Sequence, residues 1–306
     1  MDLADLPLFL AVTRHGSLQG AADEVHLTPS ALSRAIRRLE TALRTPLFDR
    51  SGRALRLNAE GERLRLRALA LVDLAEQTRA EFRGTRHRAH CRVAAPGVLQ
   101  WTHADALVAA LDACNAEASL ALVPAYEDDA VAQLSRGEVE LALVSAQALA
   151  SGPNAHLGAG MERLALGSLR MRLACGPGHA LAGRADVDLD TVLAAAFAAP
   201  TRAPFCGLPR GGHSYGWRED RLPRRVRYWL DDLQVLVDVV RRGHALAYLP
   251  DEVLQRGGLH ALEIRDCPYS CEEQALLLWR PAQADGWLHR FVEAMARRAV
   301  GHDRAR

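Results

Sequence analysis

The segment from Thr28 to Leu43 constrains the fold most strongly, because its sequence predicts a helix with two different faces. At about 100° per residue, its apolar residues share one narrow stripe, the pattern of a helix packed on a core: Leu32, Ile36, Leu39 and Leu43. Short hydroxyls and long guanidinium groups share the opposite arc: Ser30, Ser33, Arg34, Arg37 and Thr41. Thr28 is a capping residue, and Pro29 takes the first helical position, where its missing N–H costs nothing. The polar arc is either a solvated surface or a surface that meets a partner.

Two shorter helices are predicted upstream of this segment. Apolar spacing from Leu6 to Thr13 gives a first helix that ends at His15-Gly16. Ser17 is a plausible N-cap for a second helix through Val25, and the small Ala21-Ala22 pair lets another helix approach closely. Two short helices, a tight turn and a third helix with a basic outer face form the arrangement that places a recognition helix in the major groove.

The chemistry of the arc favours DNA as the partner. Arginine contacts guanine O6 and N7 with two hydrogen bonds, serine and threonine contact base edges or phosphates, and a helix N-terminus favours a phosphate. The net charge is only +1, but seven arginines cluster between Arg34 and Arg56 against Glu40 and Asp49. Arg38 lies at the edge of the arc, where it touches phosphate or solvent, and Glu40 lies off the arc and is expected to hold the domain together.

The residues that follow predict a wing. The stretch LFDRSGRALRLNAEG, residues 47 to 61, has the pattern of a strand, a Ser51-Gly52 turn and a second strand, which would project Arg50 and Arg53 toward backbone or minor groove. The candidate DNA-binding residues are therefore Thr28, Pro29, Ser30, Ser33, Arg34, Arg37, Arg38, Arg50 and Arg53.

A long unbroken helix is predicted from Ala59 to about Arg83, with no proline in it. Apolar or small residues recur at alternating spacings of four and three, as in a coiled-coil seam: Leu64, Ala68, Leu71, Ala75, Thr78 and Phe82. A helix of some 25 residues spans about 37 Å at 1.5 Å per residue. A helix buried within a single chain shows the same pattern, but we expect this one to lie outside the flanking cores, so its stripe needs a partner.

Beyond Cys91, strand-like and helix-like segments alternate. The strand-like segments are CRVAA, SLALV, ELALVS, LRMRLAC, VRYWL, ALAYLP and QALLLWR. The helix-like segments start near His103, Asp128, Leu189, Asp232, Asp251 and Asp285. This alternation predicts an α/β domain with mostly parallel sheets.

The first sixty residues resemble the DNA-binding domain of LysR-type transcriptional regulators. The resemblance rests on these positions, in order: Phe9, Val12, Ser17, Ala21-Ala22, Val25, Thr28, Ala31-Leu32-Ser33, Ile36, Leu39-Glu40, Leu47-Phe48, Arg50, Arg53 and Gly61. Departures from the family pattern are Pro29-Ser30 in place of glutamine then proline, Arg44 in place of a glycine, and Asn58 in place of a threonine. Asn58 can still cap the long helix that follows it. The spacings in SRGEVELALVS and VRRGHALAYLP resemble the effector-binding domain of the same family.

The resemblance implies a fold of α and α/β parts: a winged helix-turn-helix over 1–58, a linker helix for dimerisation over 59–86, and a two-lobed effector domain over 91–306 like periplasmic binding proteins. Lobe one would comprise 91–164 and 266–306, and lobe two 165–265. The expected protein is a cytoplasmic homodimer or homotetramer that binds an interrupted palindrome of double-stranded DNA. RNA polymerase is a further partner, and no cofactor is expected.

Ligands of open α/β sheets lie beyond the carboxyl ends of strands, and in this two-lobed fold also between the lobes. That rule gives ten candidate effector-binding residues: Pro96, Gly97, Val98, Gln100, Ser145, Thr201, Arg202, Phe205, Tyr228 and Pro250. The segment 207–217, rich in glycine and aromatic residues, is either a loop over the cleft or simply a long loop.

Several other functions are disfavoured by the sequence. No apolar run approaches the roughly 20 residues of a membrane-spanning helix, and the N-terminus is acidic where a secretory signal is basic. His87, His90 and Cys91 are three potential metal ligands without a fourth, so no metal is expected. A hydrolase would need Ser214 with His213 or His244, but no GxSxG, P-loop or HExxH motif is present.

A closer alternative is a regulator that senses oxidation. Cys206 lies in a region comparable to the reactive cysteine of peroxide-sensing relatives, and the arginines after it could lower its pKa. It lacks a resolving cysteine shortly downstream, because Cys267 and Cys271 are far along the chain. A buried or inert thiol is the favoured interpretation.

Overall fold

The computed structural model describes residues 1–49, 55–82, 90–114, 118–158, 160–184, 186–208, 217–267, 269–280 and 287–303. The chain separates into two compact units, Met1–Ala89 and His90–Arg306, and each has an apolar core of its own. None of the helices in the described ranges combines the length and the apolar character that crossing a membrane would require.

The first unit consists of four helices and a pair of short strands. In chain order its elements are α1 (Asp5–His15), α2 (Leu18–Val25), α3 (Pro29–Leu43), β1 (Phe48–Asp49), β2 (Arg56–Leu57) and α4 (Ala59–Phe82). β1 and β2 pair antiparallel, with Phe48 opposite Leu57. This is the predicted winged helix-turn-helix, although the turn between the strands, with Arg50 and Arg53, lies outside the described residues.

Local capping chemistry sets the helix boundaries in this unit, as the sequence predicted. The side chains of Ser17 and Thr28 accept hydrogen bonds from N–H groups in the first turns of α2 and α3. Asn58 caps α4, because its Oδ1 accepts from Gly61 N–H at 2.9 Å while its Nδ2 donates to Pro46 O at 2.9 Å. A Cβ at Gly61 would overlap the backbone of the preceding strand region, so this position requires glycine.

The first turns of α4 belong to the core of the first unit. Leu64 is 9% exposed and Ala68 is fully buried, and both lie in the apolar cluster that contains Phe9. The predicted seam between subunits is therefore wrong at these two positions, because residues of the same chain already cover them. Farther along the helix, Leu71 is 36% exposed and Thr78 is exposed, so the open part of the stripe begins at Leu71.

The second unit alternates strands and helices. Its elements are β3 (His90–Ala95), α5 (Gly97–Cys114), β4 (Ser119–Pro124), α6 (Glu127–Arg136), β5 (Leu141–Ser145), α7 (Ala146–Ser151), α8 (Ala155–Gly158), β6 (Glu162–Cys175), β7 (Asp186–Val187), α9 (Leu189–Ala194), β8 (Phe197–Ala199), β9 (Val226–Trp229), α10 (Leu233–Arg241), β10 (Ala247–Pro250), α11 (Asp251–Gly257), β11 (His260–Ile264), β12 (Cys271–Trp279) and α12 (Trp287–Asp303). Each strand-like segment identified in the sequence forms a strand. The helix expected near His103 begins earlier, at Gly97.

The main sheet is mixed, so the expectation of mostly parallel sheets is wrong. Its strand order is β4-β3-β5-β12-β6-β11-β7, and β10 also pairs with β6. β3 runs parallel to β4 and β5, whereas β12 runs antiparallel to both β5 and β6. The reason is that β6 carries the chain out of the first group of strands and β12 carries it back in the opposite direction.

β6 and β12 are shared by the two lobes. Near its carboxyl end β12 pairs with β5 in lobe one, whereas the carboxyl end of β6 pairs with β10 and β11 in lobe two. The pairing of β6 with β12 has an irregularity between Ala275 and Leu276, opposite Gly167. Gly167 has a φ of 107°, which an L-residue with a side chain rarely adopts. The lobes are thus connected through a strand pair with a local bend at Gly167.

One departure from the family pattern has a clear backbone consequence. Arg44 ends α3 in a left-handed conformation, with φ of 55° and ψ of 34°, and its N–H bonds to the last carbonyls of the helix. This conformation costs a non-glycine residue about 1–2 kcal/mol. Arg44 therefore preserves the helix end at some expense in stability.

We predict that Arg44→Gly increases the free energy of unfolding of the chain by about 1 kcal/mol, because glycine adopts a left-handed conformation without the steric penalty. Arg44→Ala is the matched control: it removes the guanidinium but keeps the penalty, so it should give no gain. Denaturant unfolding of the two variants compares them directly. Equal stability of Arg44→Gly and Arg44→Ala would contradict this account.

Candidate functional site

α3 has an open polar surface opposite its buried stripe. Arg34 and Arg37 are exposed, and neither has an ion-pair partner among the residues that the structure describes. Ser30 is exposed and Ser33 is half-buried on the same helix. With Thr28 and Pro29 at the helix start, these residues give a surface of hydroxyls, guanidinium groups and a helix N-terminus, which can bind base edges and phosphates.

Arg38 is also exposed, but unlike Arg34 and Arg37 its guanidinium forms an ion pair with another residue of the first unit. Nε donates to Asp5 Oδ2 at 2.9 Å, and Nη2 forms an ion pair with Asp5 Oδ1. Asp5 is only 2% exposed. The sequence predicted Arg38 as a DNA-binding residue, and this stays a prediction; in the structure its guanidinium also pairs with a buried carboxylate that would otherwise be uncompensated. Arg38 therefore joins α3 to the start of α1.

Glu40 holds the unit together, as the sequence indicated. Its Oε1 accepts a hydrogen bond from the backbone N–H of Leu47 at 2.8 Å. Leu47 is fully buried and directly precedes β1. The position of the strand pair relative to α3 is thus fixed by an acid on the helix and an amide just before the strand.

The second unit contains a large cavity between its lobes, with a volume of about 1040 Å³. Six of the ten predicted effector-binding residues line it: Pro96, Gly97, Val98, Gln100, Arg202 and Pro250. The first four lie after β3 and in the first turn of α5, and Pro250 ends β10. The rule that ligands lie beyond the carboxyl ends of strands therefore located one wall of the cavity correctly.

The other four predicted residues do not line the cavity. Ser145 is buried and its N–H donates to the Glu127 carboxyl at 2.5 Å. Thr201 N–H donates to Asp231 Oδ1 at 2.7 Å, and Phe205 is buried. In β9 the guanidinium of Arg227 lies over the Tyr228 ring, with 5.4 Å between Arg227 Cζ and the ring centroid. Each of the four is engaged by packing or hydrogen bonding and is absent from the cavity wall.

The sequence also missed residues that line the cavity. The aromatic and sulfur-containing members are Trp101, Tyr126, Met171 and Tyr248, and the charged members are Asp129, Asp231, Asp232 and Arg256. Trp101 lies one turn after Gly97 on the same helix, and Asp232 is the N-cap of α10. Extending the rule from strand ends to the following helix turns would have found both.

The two arginines of the cavity wall are each held by a backbone carbonyl. Arg202 Nη1 donates to Gly207 O at 3.1 Å, and Arg256 Nη1 donates to Trp101 O at 2.8 Å. Each guanidinium keeps further N–H groups that can donate to a ligand. The wall combines apolar surface with a few charged groups, which is the usual composition of a small-molecule site.

Glu127 is a buried carboxyl next to this cavity, in the first turn of α6. It is 3% exposed and accepts hydrogen bonds from Ser145. Burial raises its pKa from 4.5 to about 7, and the carboxyls of Glu273 and Asp128 add to the increase, while the bonds from Ser145 oppose it. The Glu127 carboxyl therefore holds its proton to a higher pH than an exposed glutamate does.

Cys206 lies close to α6, and its surroundings disfavour a reactive thiolate. Burial raises the pKa of the Cys206 thiol, and the carboxylates of Glu127 and Asp128 raise it further. This is the opposite of the lowering that arginines were expected to cause. Burial also raises the pKa of the Cys271 thiol, to about 12.

The remaining sequence candidates do not form a second site in the described part of the chain. His90 bonds through Nδ1 to Ser119 Oγ at 2.5 Å, and Cys91 is buried. No group of three metal-ligating side chains occurs among the described residues. His87, His213 and Ser214 lie outside the described residues, as does most of the 207–217 segment.

Comparison with known proteins gives two family matches. Residues 3–62 match the model of the bacterial regulatory helix-turn-helix protein, lysR family, and residues 84–299 match the LysR substrate binding domain. An uncharacterized HTH-type transcriptional regulator of Azotobacter vinelandii is 44% identical over 79 residues, and the RuBisCO operon transcriptional regulator of Acidithiobacillus ferrooxidans is 45% identical over 74. These stretches cover 26% and 24% of this chain, and 55% and 24% of the relatives.

Solved structures resemble the chain over nearly its whole length. ArgP from Mycobacterium tuberculosis has a TM-score of 0.68 at 18% identity, covering 98% of both chains. Full-length LysG from Corynebacterium glutamicum, with bound effector Arg, has a TM-score of 0.66 at 21% identity, covering 98% of this chain and 99% of LysG. CbnR in complex with its target DNA has a TM-score of 0.52 at 20% identity, covering 98% of this chain and all of CbnR. These likenesses concern the fold.

We predict that Glu127→Gln reduces the pH dependence of stability. The pKa of Glu127 is higher in the folded than in the unfolded chain. The folded protein therefore loses stability as the pH rises from 4.5, the pKa of an unfolded glutamate, through about 7. That difference corresponds to roughly 3 kcal/mol. Glutamine keeps an acceptor for the Ser145 N–H and does not ionise, so this loss should be absent from the variant.

Denaturant unfolding of both proteins at about pH 5 and about pH 8 measures the difference. The parent should lose stability over this interval relative to Glu127→Gln. Parallel pH profiles for the two proteins would show that Glu127 does not carry the effect.

Proposed function

The chain belongs to the LysR family of bacterial regulatory helix-turn-helix proteins, and we propose that it is a transcription regulator that binds DNA through α3 and a small-molecule effector in the cavity between its lobes. The observation that carries the proposal is the pair of exposed arginines on a capped helix in one unit and a 1040 Å³ cavity in the other. A polar surface for DNA and a lined cavity for a ligand are the two parts that a ligand-controlled regulator needs.

We assign 1–58 to DNA binding, 59–86 to the linker helix and 91–306 to effector binding. Within the last range, the strand pair β6–β12 supports a division into lobe one (91–164 and 266–306) and lobe two (165–265), because its irregularity lies at Gly167. Arg34 and Arg37 read bases, Thr28, Pro29, Ser30 and Ser33 position the helix start, and Arg50 and Arg53 contact backbone or minor groove.

The protein is proposed to act as a homodimer that associates further into a tetramer. Support comes from the open part of the α4 stripe, where Leu71 and Thr78 are exposed. Two recognition helices related by a two-fold axis bind half-sites about one helical turn apart, so the target is an interrupted palindrome. Such a regulator works on cytoplasmic DNA with RNA polymerase as a further partner, and we propose no enzymatic activity for it.

We predict opposite consequences for two neighbouring arginines. Arg34→Ala should lose the preference for specific bases at a cost of about 1–3 kcal/mol and keep salt-sensitive binding to any sequence, with little change in Tm. Arg38→Ala should lower Tm, because Asp5 is then buried without its partner. Operators selected from a random-sequence DNA library, combined with thermal unfolding, measure both properties.

The assignment of Arg34 fails if Arg34→Ala selects the same operators as the parent with the same discrimination. A Tm for Arg38→Ala that is no lower than that of Arg34→Ala would contradict the structural role assigned to the Arg38–Asp5 pair.

We predict that effectors bind in the inter-lobe cavity, and a variant that partly fills it tests this. Gly97 lines the cavity, and a Cβ added there meets no atom within 4 Å, so Gly97→Leu should fold and occupy ligand space. Gly160 has equally open surroundings and does not line the cavity, so Gly160→Leu is the matched control.

A thermal-shift screen of metabolites on the full chain should find compounds that raise Tm for the parent and for Gly160→Leu. A ligand at about 100 times its Kd stabilises by roughly 3 kcal/mol, which is a shift of a few degrees. The same compounds should fail to shift Gly97→Leu. Equal shifts for both variants would place the ligand elsewhere.

A further inference from the structure

A loop of lobe two, residues 203–208, reaches the first turn of α6 in lobe one. Its base is fixed in lobe two, where Thr201 N–H donates to Asp231 Oδ1 at 2.7 Å. The loop closes on itself, because Gly207 N–H donates to Ala203 O at 2.9 Å. Its tip then contacts α6, since Glu127 N–H donates to the carbonyl of the loop residue Phe205 at 3.2 Å.

This contact supplies α6 with a cap from the other lobe. A helix leaves its first four N–H groups without partners in the helix itself. Tyr126, at the N-cap position, makes no side-chain hydrogen bond to them. The N–H of Glu127 is the first of these groups, and it is satisfied by Phe205 O. Both residues are buried, so water does not readily replace this bond.

The loop also packs against the aromatic ring at the same helix start. Gly207 has a φ of 69°, and a Cβ built there would overlap the ring atoms of Tyr126. Position 207 therefore requires glycine for two reasons: its left-handed backbone conformation and its close approach to the Tyr126 ring. A carbonyl and a glycine of lobe two thus contact two consecutive residues of lobe one.

We propose that the 203–208 loop is a latch that sets the separation of the two lobes in the ligand-free protein. The strands β6 and β12 connect the lobes covalently, with an irregularity at Gly167. Two non-covalent connections lie at the cavity: the loop, and the hydrogen bond at 2.8 Å from Arg256 Nη1 in lobe two to Trp101 O in lobe one. A ligand that changes the lobe separation has to break the bond from Glu127 N–H to Phe205 O. This inference rests on the effector cavity proposed above and concerns its regulation.

Hydrogen–deuterium exchange of the ligand-free full chain tests the latch. Gly207→Ala should push the loop off Tyr126, and Tyr126→Ala should remove the surface on which it packs. In both variants the Glu127 amide should exchange faster by on the order of tenfold, whereas the amides of β12 keep their protection.

Two controls separate the contact from general effects. Gly183→Ala introduces the same kind of backbone strain, at a φ of 78°, where a Cβ meets no atom within 4 Å, so exchange at Glu127 should stay unchanged. Tyr126→Phe keeps the ring and should keep the protection of the Glu127 amide.

Unchanged exchange at Glu127 in both Gly207→Ala and Tyr126→Ala overturns the latch. Acceleration shared equally by β12 also overturns it, because the loop would then be an ordinary part of the core. Neither result depends on finding an effector. Conversely, a metabolite screen without hits would count against the proposed function and leave the exchange data intact.

Discussion

The antiparallel pairing of β6 with β12 is the interaction on which the second unit depends. These two strands belong to both lobes at once, so they connect the lobes and also limit how the lobes can move. The backbone hydrogen bonds of the pair run through both lobes, and their register shifts only opposite Gly167. The cavity lies against this pair, since Met171 of the shared strand β6 forms part of its wall.

The sequence predicted best the features that arise from neighbouring residues. The caps at Thr28 and Asn58, the stripe of α3 and the strand-like segments of the second unit all depend on spacings of a few positions. Contacts between distant positions were missed. Arg38 and Asp5 are separated by 33 positions, and Ser145 and Glu127 by 18, so no local pattern reveals that either pair meets.

The candidate cavity shows the same limit. Gly97 and Pro250 were found because each lies at a strand end, which the hydrophobic pattern locates. Trp101 was missed because it lies one turn into the helix after β3, and Asp232 because it caps the helix after β9. Ser145 and Phe205 were predicted for the site but do not line the cavity, because position after a strand does not tell whether a side chain is buried in the core. Burial is a property of the assembled lobes and cannot be read from one segment.

The burial of Leu64 and Ala68 in the core of the first unit has a mechanical consequence. The N-terminal turns of α4 cannot rotate independently of the helix-turn-helix, because they pack among the same apolar side chains as α1. Since α3 and α4 share this core, a rotation of α4 turns α3 by the same angle. In a dimer, the crossing angle of the two α4 helices would determine which spacing of half-sites on DNA the two α3 helices can reach together.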